Sequence, residues 1–236
     1  MKSLFQRLVL TVSLFLLPLT SYAGWTGSGF FITSNGYVGT AGHMVNSPNL
    51  LLITVVFNGK QYQAHIVKTD FGRDLAILKI DGVATPALLL DVKTRVGEPV
   101  FSIGFPLPQQ NNYNQIASVG QIESSELFDI EWFLIETSAQ ACPGNSGGPL
   151  ANLKGHVVGI VVSGLNIPGS GPCSKYVQAV RVNELIQLAR QAGINTHTVS
   201  WYQRQFDRVL GFPAAAKHIA SSVVFIYVDE VVRETR

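Results

Sequence analysis

Two Asn-Gly dipeptides, Asn35-Gly36 and Asn58-Gly59, each lie between two short stretches of alternating apolar residues. No other feature constrains the chain as much, because Asn-Gly favours a two-residue turn that returns one strand antiparallel to the last. The flanking stretches are Phe31-Ile32 with Tyr37-Val38, and residues 53–57 with 62–67. Asp81-Gly82 closes a run over 75–80, and further strands are expected at 99–103, 115–122, 132–137, 149–152, 156–162 and 176–182. Asn152-Leu153-Lys154-Gly155 is the turn between two of these. Two groups of about six short strands, with a linker near 92–97, predict an all-β chain of two packed antiparallel barrels, the first over about 24–94 and the second over about 97–194. Val182, Leu185, Ile186, Leu188 and Ala189 then recur at helical spacing, which predicts a short amphipathic helix.

With 236 residues, 47% of them hydrophobic and only 14% charged, the chain is long enough for one two-lobed unit with a sizeable core. Its first segment reads differently. Lys2 and Arg7 precede an apolar run over 8–17, then Pro18, then Ser21-Tyr22-Ala23. That is the pattern of a secretory signal over 1–23, too short for an ordinary transmembrane helix; an uncleaved N-terminal anchor is the alternative. Cleavage after Ala23 removes two cations and takes the formal charge from +2 to zero. There is then no electrostatic case for nucleic acid. A secreted or periplasmic location is expected, with no stable membrane anchor. His65, His156, His197 and His218 have no acidic or cysteine partners at metal-ligand spacing, so neither a metal nor a cofactor is expected.

Chemistry concentrates at Ala141-Cys142-Pro143-Gly144-Asn145-Ser146-Gly147-Gly148-Pro149-Leu150. A nucleophilic serine needs an exposed hydroxyl on a sharp turn, with backbone N–H groups aimed at a developing oxyanion; glycines give the backbone that freedom. A Gly/Ser stretch by itself reads first as a surface turn. The case rests on a base and an acid elsewhere. His43 stands in Gly39-Thr40-Ala41-Gly42-His43-Met44-Val45, at the end of a β-like run. Asp74 stands in Gly72-Arg73-Asp74-Leu75-Ala76-Ile77-Leu78-Lys79-Ile80, at the mouth of an alternating apolar segment. Singly, they read as a buried histidine and a turn-capping aspartate. Together with Ser146 they run His, Asp, Ser, the chymotrypsin order and not that of subtilisin or the α/β-hydrolases.

On these residues the chain resembles the chymotrypsin-fold (trypsin-like) serine endopeptidases, and most of all the protease domain of the HtrA family. The resemblance is carried by Gly27-Ser28-Gly29-Phe30-Phe31-Ile32, Asn35-Gly36-Tyr37, Thr40-Ala41-Gly42-His43 and Asp74-Leu75-Ala76-Ile77-Leu78-Lys79. Gly97-Glu98-Pro99-Val100, Ile103-Gly104-Phe105-Pro106 and Gly144-Asn145-Ser146-Gly147-Gly148-Pro149 extend it, from about residue 24 to about 192. It implies two six-stranded barrels with His43 and Asp74 on the first, Ser146 on the second, and an extended protein or peptide substrate in the cleft between them. It also implies roles. His43 is the general base, Asp74 orients it, Ser146 is the nucleophile, and the N–H groups of Gly144 and Ser146 form the oxyanion hole.

By the same alignment Gln140 lies at the base of the specificity pocket, with Val161, Ser163 and residues near Val177 as its walls. Uncharged Gln140 implies no strict preference for Lys or Arg, and small or medium aliphatic P1 residues are expected. Cys142 and Cys173 are expected to pair in an exported chain. In chymotrypsin-like enzymes such a bridge ties the pocket walls together, whereas HtrA relatives often lack it; two unpaired, packed thiols are the alternative. Asn145 stands where zymogen-activated relatives carry an aspartate that pairs with a freed N-terminus. Asparagine cannot form that ion pair, so no activation by N-terminal insertion is expected.

The tail over 195–236 has no assigned role. It is too short for the PDZ domain usual in HtrA proteins. Residues 201–206 are expected to be helical, and the apolar run over 223–228 either packs on a barrel or docks as an autoregulatory segment. Two other classes of function remain open: a protease-fold chaperone or peptide-binding module with a latent site, and an esterase acting on small acyl substrates. The sequence sets no oligomeric state.

Overall fold

The structure, a computed structural model, describes residues 21–106, 114–124, 133–164 and 173–232. Residues 1–20 of the expected leader over 1–23, and Trp132 of the expected strand 132–137, lie outside the described residues, whereas residues 21–23 belong to β1. The strands in the first half are β1 (Ser21–Phe31), β2 (Tyr37–Ala41), β3 (Leu50–Phe57), β4 (Lys60–Asp70) and β5 (Leu75–Lys79). In the second half β6 (Pro99–Gly104), β7 (Ile116–Ser124), β8 (Leu134–Thr137), β9 (Pro149–Asn152), β10 (Val157–Gly164) and β11 (Val177–Arg181) precede helix α1 (Val182–Gln191). Then come α2 (Trp201–Phe206), α3 (Phe212–Ile219) and β12 (Val223–Val232).

The strands close into two six-stranded antiparallel barrels, ordered β1-β12-β3-β4-β5-β2 and β10-β11-β8-β7-β6-β9. At Asn35-Gly36 only Gly36 has a positive φ, 93°, and β1 returns to β2 over a longer loop closed by Ile32 N–H on Tyr37 O (2.9 Å); the second Asn-Gly makes the expected tight turn. Asn58 and Gly59 both take positive φ, 50° and 71°, and set Phe57 opposite Lys60. The second barrel is filled by Val100, Ile122, Ile135, Leu150, Val158 and Ala179. A larger apolar cluster joins Phe30, Phe31, Leu75 and Ile77 of the first barrel to Phe101, Val157, Ile160 and Val180 of the second.

The expected first barrel over 24–94, and the expected domain end at 194, leave out its sixth strand. That strand is β12, from the tail, inserted between β1 and β3 with Ser28 opposite Phe225 and Val56 opposite Phe225 on the other side. Val224, Ile226 and Val228 are fully buried, and Phe225 meets Phe105 edge-on at 5.9 Å between ring centroids. Burial of those three aliphatic side chains contributes about 5–8 kcal/mol before entropy. The run over 223–228 was legible as buried, but a pairing between residues about 200 apart has no local signature.

Between the barrels and β12 the tail is strapped down. Helix α1 ends in a Schellman motif, with Gly193 N–H on Arg190 O (3.0 Å) and Ile194 N–H on Ala189 O (2.9 Å). Ser200 and Gln203 form a capping box at the start of α2. Arg204 donates to buried Asp91 through Nε (3.0 Å) and Nη2 (2.6 Å), and His156 Nε2 lies 3.0 Å from Asp207 Oδ2. Phe212 at the start of α3 packs on Phe101 at 5.8 Å. Among the described residues no helix is long and apolar enough to cross a membrane.

Two outcomes follow from this packing. A chain ending at residue 222 exposes the edges of β1 and β3 and loses a stabilisation comparable to the whole of a domain's net stability, about 5–15 kcal/mol; it is expected to give no cooperative unfolding transition by circular dichroism. The second concerns pH. Burial holds the His156 pKa below its ordinary value in spite of Asp207. Its stabilising contribution is therefore present above the unfolded-state value near 6.5 and is lost as pH falls through the lower folded-state value. Between about pH 7.5 and 5.5, Tm is expected to fall more in the wild type than in His156→Gln.

Candidate active site

The Ser146 segment is two turns in series. Asn145 N–H donates to Cys142 O (2.9 Å) across Pro143-Gly144, and Gly148 N–H donates to Asn145 O (2.9 Å) across Ser146-Gly147. The third residue of each turn has a positive φ, 97° at Gly144 and 84° at Gly147, as a type II turn demands. Pro143 presets the first turn. Gly147 N–H donates to Val161 O at 2.7 Å. These bonds use the N–H groups of Asn145, Gly147 and Gly148, and those of Gly144 and Ser146 fall outside the set. Ser146 is half-buried and Gly144 buried.

The turns are held by the first barrel. Ser28 N–H on β1 donates to Ser146 O (2.8 Å), and Ser28 Oγ donates to Gly144 O (2.7 Å) while accepting from Phe105 N–H (2.8 Å). Thr40 Oγ1 on β2 donates to Ser28 O at 2.7 Å. Ser28 and Thr40 are both fully buried. The approach is close enough that a Cβ at Gly147 would stand 2.1 Å from Thr40 Oγ1 and 2.2 Å from Ser28 O. Asn145 is 4% exposed against Gly104, and its Oδ1 has no hydrogen-bond partner among the described residues.

Three residues after Thr40, His43 begins at the end of β2 in a 3-10 turn, Gly42–Val45. His43 Nδ1 lies 2.7 Å from Asp74 Oδ2, and the His43 backbone N–H donates to Asp74 Oδ1 at 2.6 Å. An ionised carboxylate only accepts, so Nδ1 carries the proton and Nε2 presents its lone pair. Asp74 reaches both groups from a left-handed backbone, φ 55°, which costs a residue with a Cβ about 1–2 kcal/mol. Gly42 N–H donates to Asp74 O (2.9 Å), and a Cβ at Gly42 would stand 3.0 Å from Asp74 C. The His43 side chain is 46% exposed and that of Asp74 32%.

Of the residues expected at the pocket, Val161 (2% exposed) and Val177 (1%) pack on Ala141 as a small separate apolar cluster. Gln140 is exposed; its backbone N–H meets Ser118 Oγ (3.2 Å) and its O accepts from Ser102 Oγ (2.6 Å). Ser163 pairs with Gln178 through β10 and β11. Cys142 and Cys173 are joined in a disulfide over a sequence separation of 31, worth about 3–4 kcal/mol by loop entropy. The bridge sits beside Ala141 and Ser174, which exchange backbone hydrogen bonds at 3.2 and 2.8 Å. Among the described residues no His, Cys, Asp and Glu cluster could hold a metal ion. The sequence reading overlooked Ser28 and Thr40 as supports of the site; their only signal is a hydroxyl in an otherwise buried strand.

Residues 27–160 match the family described as the trypsin-like peptidase domain, a span that contains His43, Asp74 and Ser146. The chain is 37% identical over 138 residues to a probable periplasmic serine endoprotease, DegP-like, of Pseudomonas putida, covering 57% of this chain and 28% of that protein. It is 37% identical over 143 residues to serine protease HTR4 of Rattus norvegicus, covering 57% and 29%. An HtrA-type protease AlgW, solved with a decapeptide, superposes with a TM-score of 0.61 at 25% identity, covering 70% of this chain and 51% of that one. The chain thus spans less than a third of the curated relatives it matches.

The packing around the turns sets a direct test. Gly147→Ala adds both a steric overlap and a strained φ, with an expected cost on the order of 3 kcal/mol. That is a Tm drop of roughly 10 °C for a chain of this size, measured by differential scanning fluorimetry, whereas Ser146→Ala leaves Tm near that of the wild type.

Proposed function

The chain belongs to the trypsin-like peptidase domain family, and on that premise we propose that it is an exported serine endopeptidase of the HtrA type, hydrolysing peptide bonds through an acyl-enzyme. The 2.7 Å contact between His43 Nδ1 and Asp74 Oδ2 carries the reading. With Nδ1 protonated, Nε2 takes the Ser146 hydroxyl proton as Oγ attacks the scissile carbonyl carbon. The carbonyl becomes an oxyanion that accepts hydrogen bonds from Gly144 and Ser146 N–H, each such donor worth about 10²–10³ in rate. The imidazolium, stabilised by Asp74, then gives its proton to the leaving amine as the C–N bond breaks. Water, deprotonated by the same imidazole, attacks the Ser146 ester and frees the carboxyl product.

Protein or peptide substrates bound in extended form are supported by the decapeptide in the AlgW neighbour. Export to a periplasm or beyond is supported by the Pseudomonas relative, a probable periplasmic serine endoprotease, and by the Cys142–Cys173 bridge. The cluster of Ala141, Val161 and Val177 is apolar and Gln140 is uncharged, which favours small or medium aliphatic P1 residues over Lys or Arg. Asn145 is uncharged and buried, so activity needs no freed N-terminal ammonium ion.

The test joins an active-site label to cleavage. A fluorophosphonate probe is expected to label Ser146 in the wild type at neutral pH and not in Ser146→Ala. Casein cleavage is expected to fall about 10⁶-fold in Ser146→Ala and by a similar factor in His43→Ala, without further loss in the double variant. N-terminal profiling of peptides released from a denatured proteome then reads P1. Absent labelling, with peptide binding retained, would instead favour a latent binding module; ester turnover without casein cleavage would favour an esterase.

A further inference from the structure

Asp74 meets His43 twice only because its backbone holds a left-handed conformation, which a strand entrance does not by itself enforce. The preceding loop supplies one restraint. Arg73 N–H donates to Asp70 Oδ1 (3.1 Å) and Arg73 Nη1 to Asp70 Oδ2 (2.8 Å), closing residues 70–73 on themselves. The other side of the guanidinium faces a different element. Arg73 Nε lies 3.0 Å from Glu184 Oε2, in the first turn of α1. The Glu184 side chain is 1% exposed, and its Oε1 accepts from Asn183 Nδ2 at 2.6 Å. A carboxylate buried to that degree is retained only with a partner, because desolvation costs more than an exposed ion pair returns. Next to it, Leu185 presses on Gly39 of β2, where a Cβ would stand 2.8 Å from Leu185 Cδ2. Helix α1 therefore touches the strand that leads to His43 and the loop that leads to Asp74.

We infer that Arg73 and Glu184 form a positioning pair, through which α1 holds the Asp74 backbone and so the His43 ring in register with Ser146. The inference rests on the peptidase reading above. Neither residue touches the reacting atoms; both act through Asp74. The charged groups facing Glu184 are Asp70 at the end of β4, Arg73 in the β4–β5 loop and Arg181 at the end of β11. Burial raises the Glu184 pKa above the ordinary glutamate value, against the opposing pull of Arg73. Two consequences separate positioning from bulk stability. Keeping Glu184 ionised at neutral pH opposes folding, so Glu184→Gln is not expected to lower Tm. As pH falls through the raised value, Glu184 takes up a proton and Arg73 loses its partner, so the wild type comes to resemble that variant.

Full-length wild type, Glu184→Gln, Arg73→Gln and the double variant are compared over pH 5–8, by kcat and KM on a fluorogenic peptide, by the rate of fluorophosphonate labelling, and by Tm. At pH 8 each single variant is expected to lose about tenfold in kcat with KM unchanged, the scale of a small misplacement of a reacting group. The double variant is expected to be no worse than either single one, and the wild-type advantage over Glu184→Gln to shrink toward unity as pH falls. A Glu184→Gln enzyme that labels and turns over like the wild type at pH 8 overturns the positioning pair. So does a loss that only tracks the folded fraction. If Glu184→Gln does not fold, Arg73→Lys, at a side chain 38% exposed, carries the same pH-dependent comparison. A wild type that takes no label at all overturns the peptidase reading itself, which is a separate outcome.

Discussion

One strand residue sets the register of the whole site. Ser28 donates its N–H to Ser146 O and its hydroxyl to Gly144 O, and its carbonyl accepts from the hydroxyl of Thr40. The carbonyls on either side of Asn145 are thus tied to β1, and β1 is tied through Thr40 to the strand that delivers His43. Buried hydrogen bonds of this kind are costly to leave unmade, so the two barrels cannot slide past one another without breaking several at once. The Ser146 turn belongs by sequence to the second barrel and by bonding to the first.

That dependence explains the fate of the tail. β1 has a hydrogen-bonding edge on each side; β2 covers one and β12 the other. A strand from the end of the chain therefore backs the strand that grips Ser146. The tail reaches it by crossing the second barrel, held by polar contacts at Asp91 and His156 and by Phe212 on Phe101. The inward side of α2 is polar and paired, while Trp201 (75% exposed) and Phe206 (62%) face solvent. Its attachment is thus electrostatic where most surface helices rely on an apolar stripe.

The charges near the site divide into two kinds. Asp74 is partly exposed and bonded to a histidine that is more exposed still, so this pair sits open to solvent. Glu184 is sealed from solvent and ion-paired with Arg73, one residue before Asp74. A sealed charge contributes geometry more than stability, and the left-handed backbone at Asp74 is the geometry in question.

What a few neighbouring residues can decide is legible in the sequence. Asn58-Gly59 dictated a hairpin, the glycines around Ser146 a sharp turn, and alternation marked strands of the first barrel. The spacing of Val182, Leu185 and Ile186 marked the helix. Two cysteines left a bridge or two packed thiols open, and the structure joins Cys142 to Cys173. Tertiary structure decided which edges meet. Nothing local to residues 223–232 says that they complete the first barrel, because a buried strand looks alike wherever its partners lie. Nor does anything beside Ser28, Arg73 or Glu184 announce a bond to a residue far along the chain. Gln140, aligned to the floor of a pocket, is exposed, and its main chain is held by Ser102 and Ser118. Propensity and turn chemistry act over a few residues, whereas a site shared by two barrels depends on contacts that exist only once both have closed.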